Sequence, residues 1–117
     1  MGWTDSFQVS RSATFQIPAA TAADVVVAAM EGAGMTVQEV DRWSGTITGG
    51  KARLNGTVVL LIATIKAVGN GTTVQMNWSQ AHARKQLKSD ADLQQCLRSF
   101  EAGLNAVVAR IQQGPAW

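Results

Sequence analysis

Leu54-Asn55-Gly56-Thr57-Val58-Val59-Leu60-Leu61-Ile62-Ala63-Thr64-Ile65-Lys66-Ala67-Val68 runs directly into Gly69-Asn70-Gly71-Thr72-Thr73-Val74-Gln75-Met76-Asn77-Trp78. Both halves are rich in β-branched residues, and the glycines between them mark a turn, so the stretch reads as a long strand, a tight turn and a partner strand. Asn70-Gly71 is the dipeptide favoured in a two-residue type I′ turn, where both positions need positive φ. A turn there sets Ala67 opposite Val74, Ile65 opposite Met76 and Ala63 opposite Trp78. On that register Val59, Leu61, Ala63, Ile65 and Ala67 share the face expected to form the core. Val58, Leu60 and Ile62 fall on the other face, with Thr64, Lys66, Gln75 and Asn77.

On either side of the hairpin the chain divides into short elements. Met1 to Ser6 reads as a loose leader. Phe7 to Ile17 then alternates, with Phe7, Val9, Ala13, Phe15 and Ile17 on one side, and Pro18 stops the strand. Thr21 with Asp24 resembles a capping box, and an apolar stripe of Val25, Val26, Ala29, Met30 and Ala33 predicts a helix over 21–33, ended by Gly32 and Gly34. Two short strands follow, 35–40 and 43–48, around a turn at Asp41-Arg42. Gly49 to Arg53 reads as a flexible loop, because Gly-Gly permits positive φ. Its Gly-Gly-Lys lacks the spacing of a phosphate loop and no helix follows it.

Gln80 to Lys88 reads as a polar, basic loop containing His82. Ser89 with Asp92 opens the last helix, in which Leu93, Cys96, Leu97, Phe100, Leu104, Val107, Val108 and Ile111 recur at helical spacing. Asp90 and Asp92 near its start and Arg110 near its end suit the helix dipole. Gly114-Pro115 closes it, and 113–117 is expected to be a tail. The sum is a single α+β domain over 1–117, two-layered, in the order β-α-β-β-β-β-α. Its antiparallel sheet should carry both helices on one face.

At the level of topology this order resembles the TATA-binding-protein-like and helix-grip folds. The segment Gly34-Met-Thr-Val-Gln-Glu-Val-Asp-Arg-Trp-Ser-Gly-Thr-Ile-Thr-Gly49 is similar to small bacterial domains of that shape, in which a glycine-ended helix runs into a strand, an Asp turn and a Gly-x-Ile strand. The resemblance implies a fold and brings no catalytic residue with it. Relatives of that shape include nucleic-acid binders, lipid or small-molecule binders and interaction modules.

At 117 residues, 46% hydrophobic and 15% charged, the chain can bury one core and is not a disordered segment. One cysteine, Cys96, excludes an internal disulfide and reads as a buried core thiol. The start of the chain has no continuous apolar run of the secretory kind, and Val58 to Ala63 is far short of the ~20 residues that span a bilayer, so a reducing cytoplasm is the expected compartment. Net charge is +2, but Arg42 to Ser89 contains seven basic residues (Arg42, Lys51, Arg53, Lys66, Arg84, Lys85 and Lys88) and no acidic one.

That distribution suits an anionic partner, or a few solvated side chains on loops. Lys51, Arg53, Arg84, Lys85 and Lys88 are the candidate anion-binding residues. For catalysis the residues offer little: His82 stands without a carboxylate near it in sequence, tyrosine is absent, and no zinc or dinucleotide pattern occurs. The chain is therefore expected to be non-catalytic, with no cofactor or metal.

An open sheet face should be polar, and Val58, Leu60 and Ile62 break that rule. Burial would contribute about 1.5–3 kcal/mol for each. They read as a contact ridge, with Thr64, Lys66, Gln75 and Asn77 around it, for homodimerisation or for docking a protein partner. Alternatives are another part of the same chain folding over the ridge, nucleic acid held along the basic region 42–88, and a small molecule or lipid between sheet and helices. For the last, Ala19, Ala20, Ala22, Ala23, Ala28 and Ala29 could leave room.

Overall fold

The computed structural model describes residues 7–53, 56–82 and 90–113, with the backbone alone of His82 and Gln113. The elements are β1 (Phe7–Phe15), α1 (Ala19–Gly32), β2 (Thr36–Asp41), β3 (Thr46–Ala52), β4 (Thr57–Val68), β5 (Gly71–His82) and α2 (Ala91–Gln113). They form one five-stranded antiparallel sheet in the order β1-β5-β4-β3-β2, so β4 is its central strand. This is the expected α+β architecture. The proposed leader at 1–6 and the cap at Ser89 lie outside the described residues, and α2 continues through Gln113, one residue into the expected tail.

Because β1 pairs with β5 while β2 lies at the opposite edge, α1 must cross the sheet between them, and α2 packs beside it. The core lies under these helices. Val59, Leu61, Ala63 and Ile65 of β4 and Val74, Met76 and Trp78 of β5 meet Val25, Val26, Ala29 and Met30 of α1 and Leu93, Leu97, Phe100 and Leu104 of α2, all buried. Trp78 and Phe100 meet edge to face, centroids 5.6 Å apart. Ala67 shares their strand parity but is exposed, since it lies at the hairpin end of β4; Ile111 is likewise exposed near the end of α2.

The hairpin turns one residue earlier than Asn70-Gly71 predicts. Val68 pairs with Gly71, leaving Gly69-Asn70 as the two-residue loop. Of that pair only Gly69 has positive φ, +58°, which fits the type II′ requirement for glycine first and not the I′ requirement for both. The partners accordingly become Ala67–Thr72, Ile65–Val74, Ala63–Met76 and Leu61–Trp78. Each partner moves by two residues, so every side chain keeps its face.

Helix α1 also begins earlier. Pro18 is its N-cap, extended at φ −64°, ψ 151°, and its carbonyl accepts from the Ala22 N–H at 2.9 Å, so Thr21 lies inside the helix and caps nothing. At the other end Gly34 takes φ +79°, the Met35 N–H donates to the Met30 carbonyl and the Gly34 N–H to Glu31, which is a Schellman closure.

Gly49 and Gly50 are strand residues of β3, not a loop, and neither has positive φ. Their use is steric. A Cβ on Gly49 would stand 2.7 Å from the Met30 sulfur, and one on Gly50 2.9 Å from Leu60 Cδ2. The first glycine lets α1 lie close on β3, and the second lets Leu60 lie across its neighbour.

Gln80 is a second departure from the expected loop: it is in β5, buried, and its Oε1 accepts the Leu93 N–H at 2.9 Å. A core-facing amide on the sheet thus satisfies one of the orphan N–H groups in the first turn of α2. Thr72 ties the sheet to the chain entering α1, donating to the Ile17 carbonyl at 2.6 Å.

Gly49→Ala should cost about 1–3 kcal/mol in urea unfolding, since Met30 has nowhere to move. Gly50→Ala should cost less, because half-buried Leu60 can swing outward. Gln80→Leu should cost about 1–3 kcal/mol by leaving the Leu93 N–H buried and unpaired, with no loss of apolar area.

Candidate functional site

The face of the sheet opposite the helices is built by the even-numbered residues of β4 and their neighbours. Ile62 pairs with Asn77 on one side and Thr48 on the other, and Leu60 with Ser79 and Gly50. Val58 is 36% exposed, Ile62 45%, and Leu60, lying over Gly50, is half-buried. Thr64, Lys66, Gln75 and Asn77 lie on the same face, with Lys66 and Asn77 exposed and Thr64 and Gln75 half-buried. The structure therefore brings the seven expected contact residues together on one surface.

The surround of the ridge is ordered by its own hydrogen bonds. Ser10 Oγ donates to Asn77 Oδ1 at 2.9 Å, and the Thr14 and Thr73 hydroxyls lie 3.2 Å apart. Hydroxyls and amides dominate, and charge is scarce.

Both sheet edges carry devices that discourage strand addition. In β1, Arg11 points to the helix side among Val9 and Ala13 and makes a two-pronged bridge to Glu101 of α2, Nε to Oε2 and Nη2 to Oε1, each 3.0 Å. In β2 the register shifts between Val37 and Glu39. An inward charge and a bulge are both known guards of exposed edges.

The candidate anion-binding residues do not collect in the same way. Lys51 pairs with Val59 and so faces the helix side, and Arg53 bridges Asp92 at 3.2 Å, both near the start of α2. Lys66 is at the other end of β4, on the open face. Arg84, Lys85 and Lys88 lie outside the described residues, as does the side chain of His82. Cys96 is buried beside Lys51 and Arg53, and burial pushes its thiol pKa up.

One aromatic residue lies outside the element expected for it. Trp43 stands fully exposed on the turn between β2 and β3, and the strand expected over 43–48 begins only at Thr46. The turn beneath it is tightly held. Asp41 Oδ1 accepts from the Trp43 N–H at 3.0 Å and the Ser44 N–H at 3.4 Å. Gly45 follows at φ +72°, its carbonyl accepts the Ile65 N–H at 2.7 Å, and a Cβ there would stand 2.5 Å from the Ile65 carbonyl oxygen.

Between this turn and the start of α1 lies an open groove of about 420 Å³ with Ala20, Ala23, Val40, Ile47 and Ile65 in its walls. The Arg42–Asp24 ion pair, 3.6 Å, joins the turn to α1, and both side chains are largely exposed. A Gly directly after an Asp-x-x-Ser-like turn was the available signal for Trp43, since it favours a turn ending at Gly45 over a strand starting at Trp43.

The overall shape is similar to several solved structures. Ara h 8.0201 superposes with a TM-score of 0.67 at 10% identity, covering 90% of this chain and 99% of that one. Ginseng major latex-like protein 151 from Panax ginseng gives 0.60 at 7% identity, covering 91% and 99%. A member of the major latex protein family from Arabidopsis thaliana gives 0.56 at 10%, covering 92% and 98%. Identities this low show a shared fold, the helix-grip arrangement of a long C-terminal helix on an antiparallel sheet. No protein-family model and no curated protein matches the sequence. Among the described residues no helix is long and apolar enough to cross a membrane.

The Asp41 carboxyl has its pKa held below the ordinary carboxylate value, first by the Ser44 hydroxyl and then by the Ser44 and Trp43 amides. A depressed folded-state pKa means the turn is supported above the unfolded carboxylate range and loses that support as pH falls through the folded value. An NMR titration should show Asp41 with a midpoint below that of a free aspartate, and the Trp43 and Ser44 amide signals should move in the same step. Asp41→Asn keeps an acceptor oxygen and should abolish the step.

Proposed function

We propose that this domain is a non-catalytic binding or assembly module that works through the open face of its sheet, docking a second copy or another protein. The observation that carries the reading is the ridge of Val58, Leu60 and Ile62 on the central strand, placed where an unpartnered antiparallel sheet would be polar. A single cysteine makes folding independent of an internal disulfide, which suits the cytoplasm as its compartment.

The test substitutes the ridge without touching the core. Val58→Thr/Leu60→Thr/Ile62→Thr keeps strand propensity and adds only hydroxyls to solvent, so circular dichroism and the urea midpoint should stay close to those of the parent. Partners captured from cells by the parent chain should be lost with the variant. Equal capture by both would remove the open face from the function.

A second reading is favoured by one specific observation, the fully exposed Trp43 beside the alanine-walled groove. The space between sheet and helices is filled by Trp78, Phe100, Met30, Leu61 and Met76, so a small apolar ligand would lie at this end of the molecule and not inside it. Binding there would bury the indole. Trp43 emission should shift to shorter wavelength on adding such a ligand, and Ala23→Trp, which fills the groove, should abolish the shift; an unchanged spectrum across apolar ligands counts against this site.

A further inference from the structure

The partner of the open face can be argued from its shape and its charges, an argument that rests on the reading above. Val58 to Lys66 spans roughly 27–30 Å and five strands roughly 20–24 Å, a projected area of about 600–700 Å² before side-chain relief is added. A stable interface of standard size needs about 800 Å² of accessible surface per partner, so this face is large enough alone. Its polar residues are self-complementary, because each hydroxyl or amide both donates and accepts and can therefore meet its own kind.

Three charged side chains on this face make no ion pair among the described residues: Glu39, Lys66 and Asp41, the last pairing with Thr46 and already accepting from the Trp43 and Ser44 N–H groups of its own turn. Glu39 lies on it because it pairs with Thr48, which pairs with Ile62, and Lys66 lies on it four residues along β4 from Ile62. Both are exposed. From Ile62, Glu39 is two strands away across the sheet, about 10 Å, and Lys66 is about 13 Å along the strand, at right angles to that direction.

Two sheets stack either nearly aligned or nearly orthogonal. A two-fold axis parallel to β4 would set Lys66 against its own copy. An axis perpendicular to β4 through Ile62 would set Glu39 against its own copy. Only a diagonal axis, giving an orthogonal crossing, exchanges the two directions. It lays Glu39 of one copy within side-chain reach of Lys66 of the other, and does so twice by symmetry.

We propose that the occupant of the open face is a second copy of this chain, packed sheet on sheet at a near-orthogonal crossing centred on Ile62, with reciprocal Glu39–Lys66 ion pairs at its rim. The apolar ridges cross at the centre, where they exclude water. The ion pairs fix the crossing angle and contribute little to affinity.

The experiment uses the purified full chain and charge exchange. Sedimentation equilibrium of the parent should give twice the 12.4 kDa chain mass. Glu39→Lys alone and Lys66→Glu alone each place like charges in contact and should weaken the dimer about tenfold or more. The double variant, Glu39→Lys with Lys66→Glu, should return to within a few-fold of the parent. Both positions are exposed, so folding is retained and circular dichroism checks it. A double variant no better than the singles overturns the orthogonal contact. A monomeric parent overturns the second copy as occupant, whether another protein or another part of this chain covers the face. If that monomer still captures partners in a ridge-dependent way, the open-face reading survives the loss of this one.

Discussion

Everything in this molecule depends on β4 being hydrogen-bonded along both sides. A strand with a partner on one side can slip, but β4 is held by β3 and β5 together, and a slip of one residue would send its whole buried set to solvent. Val59, Leu61, Ala63 and Ile65 are thereby committed to the helices, and Val58, Leu60 and Ile62 to the opposite side. The connection from β1 to β2 then decides which side is covered. It must pass from one edge of the sheet to the other, it carries α1 over one face, and α2 lies alongside α1 on that same face. One face is covered twice, and the other carries no described helix.

Close packing on the covered face follows from a few small or polar residues at crossing points. Gly49 brings α1 down onto β3, Gln80 ties β5 to the first turn of α2, and Thr72 ties the hairpin to the end of the β1–α1 connection. Large side chains fill what remains. The same fold in the major latex proteins shares the arrangement at very low identity, so what this chain binds has to be argued from its own surface.

Much of this was legible in the sequence, for a physical reason. Period-two alternation in 57–82 and helical spacing in 91–113 both report burial, and burial sets element type, order and face. Most of the misreadings have a different cause: they concern a residue whose role depends on a neighbour distant in sequence. Gly69-Asn70-Gly71 contains two acceptable turn dipeptides, and strand pairing chose between them. Gly49-Gly50 looks like a loop until Met30 and Leu60 are known to press on it. Gln80 looks solvated until the Leu93 amide is above it. Thr21 has the right chemistry for a cap, but Pro18 had already turned the chain into the helix. The ridge could be read because it needs only parity. Trp43 falls in a strand by alternation alone, although Asp41 and Gly45 on either side of it favour the turn that the structure shows.

Strand propensity does not by itself account for the ridge. β-Branched residues suit a central strand, but threonine meets that need nearly as well as valine or isoleucine and is stable in water. The chain uses threonine freely on this same face, at Thr46, Thr48, Thr64 and Thr73, with Thr48 directly opposite Ile62 on β3 and Thr46 diagonal to it. Leucine is not β-branched at all, and Leu60 lies down across Gly50, which has no side chain to lift it from the sheet. Two neighbouring positions are thus matched to each other, a missing side chain under a large apolar one, on a surface where neither burial by the described residues nor backbone preference calls for it. Such a match flattens the apolar ridge against the sheet, and a flat ridge on the central strand is the form in which it can lie against another flat surface.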